Sequence, residues 1–306
     1  RTLRIFEQWG DLVRQGSTFL GSFARSNNRA KYVNERQMME HNLKAGVKGI
    51  RSMKLDGIIV TGGNGALYFV GNSCKAAGIK FVGIPKTIDN DTPGTDVSLG
   101  FSSAVDVAVG AIDNAYWTSK GHRRAMVIEL MGRDAGHLAM AAGVASAADA
   151  ILVPEIKYSI RGLVSHLRKV AKAEKRDHFL VVVSEGAGRE KGFDRGAGKP
   201  GLVARYIETE LSNAGFSVRS DVLGHIQRGS MPNGEDRMLA QKLGAAAVET
   251  FLESKAQLNM VAIIGGRVRP VELGDLDMRE DRVSFLDANS DIVSAAKRLG
   301  IYIGDI

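Results

Sequence analysis

Apolar runs of strand length alternate with amphipathic stretches along most of the chain. "DGIIVTGG" (56–63) is a buried-strand signal that ends in a glycine turn, and a helix is predicted from about Ala66. The strand signal recurs in "KFVGIP" (80–85), "RAMVIELMG" (124–132), "AILVPE" (150–155), "FLVVVSEG" (179–186) and "MVAIIGG" (260–266). "SVRSDVLGHIQRG" (217–229) carries it in mixed company. Helices are predicted near 101–119, 135–147, 159–175, 202–214 and 234–254, and the opening "RTLRIFEQWGDLVRQG" also has helical periodicity. Strands that are continuously apolar, rather than alternating, belong to sheets covered on both faces. Strand–helix alternation makes the fold α/β with mainly parallel sheets.

In such sheets ligands bind beyond the carboxyl ends of the strands, so the residues just after each strand are where chemistry is expected. "TGGNG" (61–65) joins a strand to a helix, where glycines let backbone N–H groups approach a phosphate. A dinucleotide fingerprint fails there, because its third glycine would fall on Tyr68. "GAGKPG" (196–201) is not a Walker loop: Phe193 stands at its first glycine and Pro200 at its hydroxyl position. "PKTIDND" (85–91) sets Asp89 and Asp91 two residues apart behind Lys86 and Thr87. One carboxylate can accept a proton while the other holds a magnesium ion; an Asx turn with solvated acids is the plainer reading of the same spacing. Arg124 and Arg133 frame one strand, and Arg219 and Arg228, with His225, frame another. Guanidinium groups bind phosphate bidentately. Glu185, after a further strand, suits a sugar hydroxyl. A glycine cradle, a base, a metal ligand and cationic residues together describe phosphoryl transfer.

Composition narrows this reading. The chain has 306 residues and a net charge of +7, from 41 basic and 34 acidic residues, which favours anionic partners. The basic residues are spread along the chain. The one dense run, "HLRKVAKAEKR" (166–176), reads as an exposed helix face, so a small phosphorylated ligand is expected rather than nucleic acid. No apolar run is long enough to span a bilayer. The single cysteine, Cys74, excludes an intramolecular disulfide, fits a reducing cytoplasm and is expected to be a packing residue.

From "GSTFLGSFAR" (16–25) through "GGNG", "PKTIDNDTPGTD", "MGRDAG" and "SEGA" to "LGHIQRGSMPNGEDR" (223–237), the chain resembles the 6-phosphofructokinase family. "PKTIDND" together with "GHIQRG" carries most of that likeness. The resemblance implies two Rossmann-like lobes. Residues 1–100 plus 227–283 would form the phosphate-donor lobe, and 101–226 plus 284–306 the fructose 6-phosphate lobe. It implies transfer of phosphate to the 1-hydroxyl of fructose 6-phosphate in glycolysis, with Asp89 as base, Thr87 and Arg133 at the transferring phosphate, and Asp91 and Asn64 at Mg2+. Met131, Gly132, Glu185, His225 and Arg228 would bind the sugar phosphate. Arg124 and Arg219 would reach in from a neighbouring subunit of a homodimer or homotetramer. Gly63, Asn64, Gly65, Lys86 and Arg25 would bind the donor.

Within the family, glycine at position 65 goes with ATP and lysine at position 86 is typical of pyrophosphate users. This chain has both residues, and the glycine, which leaves room for an α-phosphate, points to ATP. Asn64 replaces a customary aspartate, Ala66 a customary hydroxyl and Phe69 a small residue near the adenosine. These changes leave open a pyrophosphate-dependent enzyme and a non-catalytic homologue that binds sugar phosphate. The family opens with a strand and a glycine-rich loop that residues 1–20 do not resemble. The chain is therefore expected to lack a first strand and part of the donor site, to be poorly active alone and to expose a sheet edge.

Overall fold

A computed structural model describes residues 35–188, 200–274 and 283–305, with side chains from residue 43 onward. In chain order its elements are α1 (Glu35–Ser52), β1 (Gly57–Gly62), α2 (Asn64–Ala77), β2 (Lys80–Pro85), α3 (Phe101–His122), β3 (Ala125–Leu130), α4 (His137–Ala145) and β4 (Ala150–Leu152). There follow α5 (Ile160–Glu174), β5 (Phe179–Ser184), α6 (Leu202–Asn213), β6 (Val218–Val222), a 3-10 turn (Gly224–Arg228), α7 (Gly234–Glu253), β7 (Leu258–Ile264), β8 (Arg267–Glu272) and α8 (Asp291–Arg298). The expected opening helix and Arg25 lie outside the described residues.

The chain divides into two compact units. The first comprises residues 1–87, 92–100 and 231–283, and the second residues 88–91, 101–230 and 284–306. In the first unit the described strands run in the order β1-β2-β7-β8. β1, β2 and β7 are parallel, and β8 returns antiparallel along β7. Gly265 and Gly266 make that reversal, both at positive φ (58° and 74°), the signature of a two-residue hairpin turn. Alternate residues serve opposite faces of the sheet. Phe81, Met260 and Ala262 pack with Leu67 and Cys74 of α2, while Val82, Ile84, Val261 and Ile263 pack with Leu243 and Ala247 of α7. Cys74 is fully buried, as a packing residue should be, and burial pushes its thiol up to about 11.

The second unit holds an all-parallel sheet in the order β4-β5-β3-β6. Met126, Ile128 and Leu130 of β3 and Leu180 and Val182 of β5 meet α3, α4 and α8. The intervening Ala125, Val127, Phe179, Val181 and Val183 meet α5 and α6. Every residue of β3 and β5 is buried, which explains why these strands are apolar without alternation. The last described residues, around Ile301–Asp305, add a parallel bridge beside β4 between Ala150 and Tyr302.

Candidate functional site

The carboxyl ends of β3, β5 and β6 are level, because Leu130 pairs with Ser184 and Glu129 with Val222. The loops that leave these strands are sewn to one another. Glu185 N–H donates to Leu130 O (2.9 Å), Leu223 N–H to Glu129 O (3.0 Å), and Ser184 Oγ to Gly132 O (2.5 Å). Gly132 is at φ +123°, and a Cβ there would stand 2.7 Å from Ala135 O; a Cβ on Gly186 would stand 2.5 Å from Arg133 O. Both positions therefore require glycine, one for conformation and one for close approach. Met131 turns its side chain into a small cluster with Ile88, Ala104 and Leu138, so it anchors the loop that presents Arg133.

Around these loops the second unit gathers Asp89, Asp91, Arg133, Asp134, Glu185 and Arg228. Arg228 Nη2 lies 3.8 Å from Asp89 Oδ2. Arg133 is held by buried Asp134, with Nε and Nη2 each 2.8 Å from Oδ2, while its side chain stays 72% exposed. Burial raises the pKa of Asp89 in spite of the opposing charges of Arg228 and Arg133. Asp91 is pushed up to about 6, chiefly by burial and then by the charge of Asp89. Glu185 is raised too, by burial first and then by Asp89 and Glu129. Three carboxyl groups thus share a site that disfavours their charges, next to two guanidinium groups. Such a site favours added positive charge, and its hard oxygen donors suit a divalent cation of the magnesium type. Asn90, between the two aspartates, sits at φ +52°, in the left-handed region that asparagine tolerates better than most side chains. His225 lies exposed in the 3-10 turn with Arg228.

In the first unit, Gly62–Gly65 and Lys86–Thr87 leave the ends of neighbouring parallel strands. Lys86 N–H donates to Gly62 O (2.9 Å), and a Cβ on Gly63 would lie 3.6 Å from Thr87 Cβ. Helix α2 starts at Asn64, two residues earlier than its apolar pattern suggests, because Ala66 and Leu67 N–H both return to Gly63 O. Gly63, the capping residue, provides no side-chain acceptor. The backbone donors of the first turn and the helix dipole favour negative charge beside Thr87 and the exposed Lys86. Ser98 Oγ donates to Thr87 O (2.7 Å) and steadies this turn. Phe69 packs on α1, with its Cζ 3.2 Å from where a Cβ of Gly46 would be.

Arg124 and Arg219 are not part of the second unit's cluster. Arg124 precedes β3, and six residues of strand put about 20 Å between it and the carboxyl end; Arg219 is the second residue of β6, three residues and about 10 Å from Val222. Arg219 bends back to Val218 O (3.0 Å). Several supporting residues escape a reading of strand-end motifs. Glu129, buried within β3, caps α6 by accepting from Gly201 N–H (2.6 Å) and Ala204 N–H (2.9 Å). Asp134 orients Arg133. The signal for both was a carboxylate set in an apolar or glycine-rich context, which burial demands be paired.

Comparisons with known proteins bear on the family and the fold. The phosphofructokinase family model matches residues 4–251. The chain is 36% identical over 301 residues to ATP-dependent 6-phosphofructokinase 1 of Synechocystis sp., covering 96% of this chain and 82% of that protein. It is 38% identical over 267 residues to the ATP-dependent 6-phosphofructokinase of Persephonella marina, covering 86% and 76%. In fold it is similar to the phosphofructokinase of Saccharomyces cerevisiae, with a TM-score of 0.70 and 25% identity over 94% of this chain. The chain spans only 40% of that yeast chain. A pyrophosphate-dependent phosphofructokinase from Marinobacter aquaeolei shares the fold at a TM-score of 0.66 and 22% identity, covering 86% of this chain and 72% of that one.

Proposed function

Because this chain belongs to the phosphofructokinase family, we propose that it transfers the terminal phosphoryl group of ATP to the 1-hydroxyl of fructose 6-phosphate, giving fructose 1,6-bisphosphate and ADP. The observation that carries this reading is Asp89: a half-buried carboxylate with a raised pKa, 3.8 Å from Arg228 and under the field of Arg133. A carboxyl group so placed is a stronger base than one in water. It accepts the O1 proton as the O1–phosphorus bond forms and the bond to the bridging oxygen of ADP breaks. Arg133, oriented by Asp134, stabilises charge on the transferring phosphoryl group. Arg228 and His225 bind the 6-phosphate, Glu185 accepts from a sugar hydroxyl, and Met131 and Gly132 shape the loop between them. Gly63, Gly65 and the first turn of α2 hold donor phosphates, with Thr87 and Lys86 beside them and Arg25 assigned to the same role.

The metal would be Mg2+, with Asp91 as its carboxylate ligand. When bound, it neutralises charge on the donor phosphates. Among the described residues no group of three or more His, Cys, Asp or Glu could hold a metal, so an ion at Asp91 would need oxygens from substrate and water. ATP is favoured as donor by Gly65 and by the names of the relatives. Pyrophosphate is the second reading, favoured by the exposed Lys86 beside Thr87, since a point charge there compensates for a missing nucleoside. Arg124, at the amino end of β3, and Arg219 serve the site of a second copy, making the enzyme a homodimer or homotetramer. Among the described residues no helix is long and apolar enough to cross a membrane, and a cytoplasmic enzyme fits the single buried thiol.

Asp89→Asn tests the assignment. Turnover should fall about 10²–10⁴-fold with fructose 6-phosphate binding retained. A variant with turnover within threefold of the parent would remove Asp89 from the reaction, and a parent with binding but no turnover would make the chain a non-catalytic homologue.

A further inference from the structure

We propose that Glu155 is a positioning residue for the metal-binding carboxylate Asp91, acting through the segment Ser284–Leu286. The inference rests on the assignment of Asp91 to the metal in the preceding section. Glu155 follows β4 at the same carboxyl edge of the second sheet as Arg133 and Glu185, yet it faces only backbone donors. Its Oε1 accepts from Gly136 N–H (2.9 Å) and from Leu286 N–H (3.0 Å), and its Oε2 from Gly136 N–H (3.2 Å). Two residues before Leu286, Ser284 N–H donates to the carbonyl oxygen of Asp91 (2.9 Å). The carbonyl of the same Ser284 accepts from Nε2–H of His137, the residue next to Gly136 (2.9 Å).

The links close a ring. From Ser284 it passes along the chain to Leu286, across Glu155 to Gly136, and through His137 back to Ser284, with Asp91 tethered to it through the Ser284 N–H. Each step is a peptide connection or a hydrogen bond. The ring cannot slacken at Leu286, whose side chain is buried in the core below the sheet. Nor can it widen at Gly136, where a Cβ would lie 2.4 Å from Val153 Cβ and 2.9 Å from Glu155 Oε2. Gly136 is also two residues from Asp134, which orients Arg133. One carboxylate therefore fixes both the backbone that aims Asp91 and the loop that aims Arg133. Charge-assisted bonds to backbone N–H groups are strong enough for that task, and metal affinity depends on such supporting contacts.

The test is Mn2+ binding to the full chain in the presence of a non-hydrolysable ATP analogue, read as loss of the free-ion electron paramagnetic resonance signal. Asp91→Asn is run beside Glu155→Ala, Glu155→Gln and His137→Phe. Glu155→Ala should weaken Mn2+ binding about tenfold, with the KM for fructose 6-phosphate within twofold of the parent. Glu155→Gln should restore binding, because a single amide oxygen can keep both bonds made by Oε1. His137→Phe should weaken it in the same direction by a smaller factor, and it carries the test if Glu155→Ala does not fold. Parent-like Mn2+ binding in Glu155→Ala, or in His137→Phe when that variant stands in for it, overturns the proposal if Asp91→Asn is impaired. So does an equal loss of metal and fructose 6-phosphate affinity, the mark of a general structural defect. Parent-like binding in Asp91→Asn would show instead that the metal assignment had failed, and the role of Glu155 would fall with it.

Discussion

Burial raises the pKa of Asp89 by more than Arg228 and Arg133 lower it. The folded state therefore prefers the protonated acid, and the stability this contributes is present below the unfolded pKa and lost as pH rises through the folded one. At neutral pH the ionised carboxylate works against the fold, as expected of a group kept for chemistry. Asp89→Asn should accordingly raise the melting temperature at pH 7 while it lowers turnover; a residue serving packing alone would do the reverse. In the parent enzyme the acid limb of kcat/KM should lie above the usual carboxylate range of about 4. Stopped assays from pH 4.5 to 8, paired with thermal melts, check both. The acids and arginines at strand ends were legible in the sequence because α/β sheets bind ligands there. Glu129, Asp134 and Glu155 were not, since their partners are backbone or neighbouring groups that only the fold reveals, as with the 72 residues between Glu129 and Gly201.

At the scale of elements, the pattern of apolar runs located β1 to β7 and most of the helices. It missed α1 (Glu35–Ser52), β8, whose sequence RVRPVE is largely exposed and polar, and α8, whose eight residues are too few for a periodic signal. It also gave no account of α5 beyond its basic face. There, His166 stacks on Tyr302 at 5.7 Å, so the last described strand segment leans on this helix. Burial lowers the pKa of His166 against the pull of Asp149, while Lys169 and Arg176 lower it further. The neutral ring is part of the fold. The stability it provides is complete above the unfolded histidine value of about 6.5 and is lost as pH falls through the lower folded value. Urea midpoints followed from pH 7.5 to 5 should fall in the parent, with a shallower slope in His166→Gln. Equal slopes would exclude His166 as the titrating group.

For the whole molecule, the proposal assigns Arg124 and Arg219 to the site of a second copy. Mixing variants tests that directly. Asp89→Asn and the double variant Arg124→Ala with Arg219→Ala should each be nearly inactive. Co-refolded, they should recover activity, because one site of a mixed dimer then holds an intact base and intact arginines. No recovery would place those arginines outside any shared site. No composition shift, linker or repeat in the sequence marks where the chain passes from one unit to the other.

ATP-dependent phosphorylation of fructose 6-phosphate is tested by product formation with ATP and with pyrophosphate side by side, at saturating Mg2+. Fructose 1,6-bisphosphate formed with ATP, and at least a hundredfold more slowly with pyrophosphate, is the result expected from Gly65 and the relatives' names. Faster turnover with pyrophosphate would contradict it and give the decisive role to Lys86.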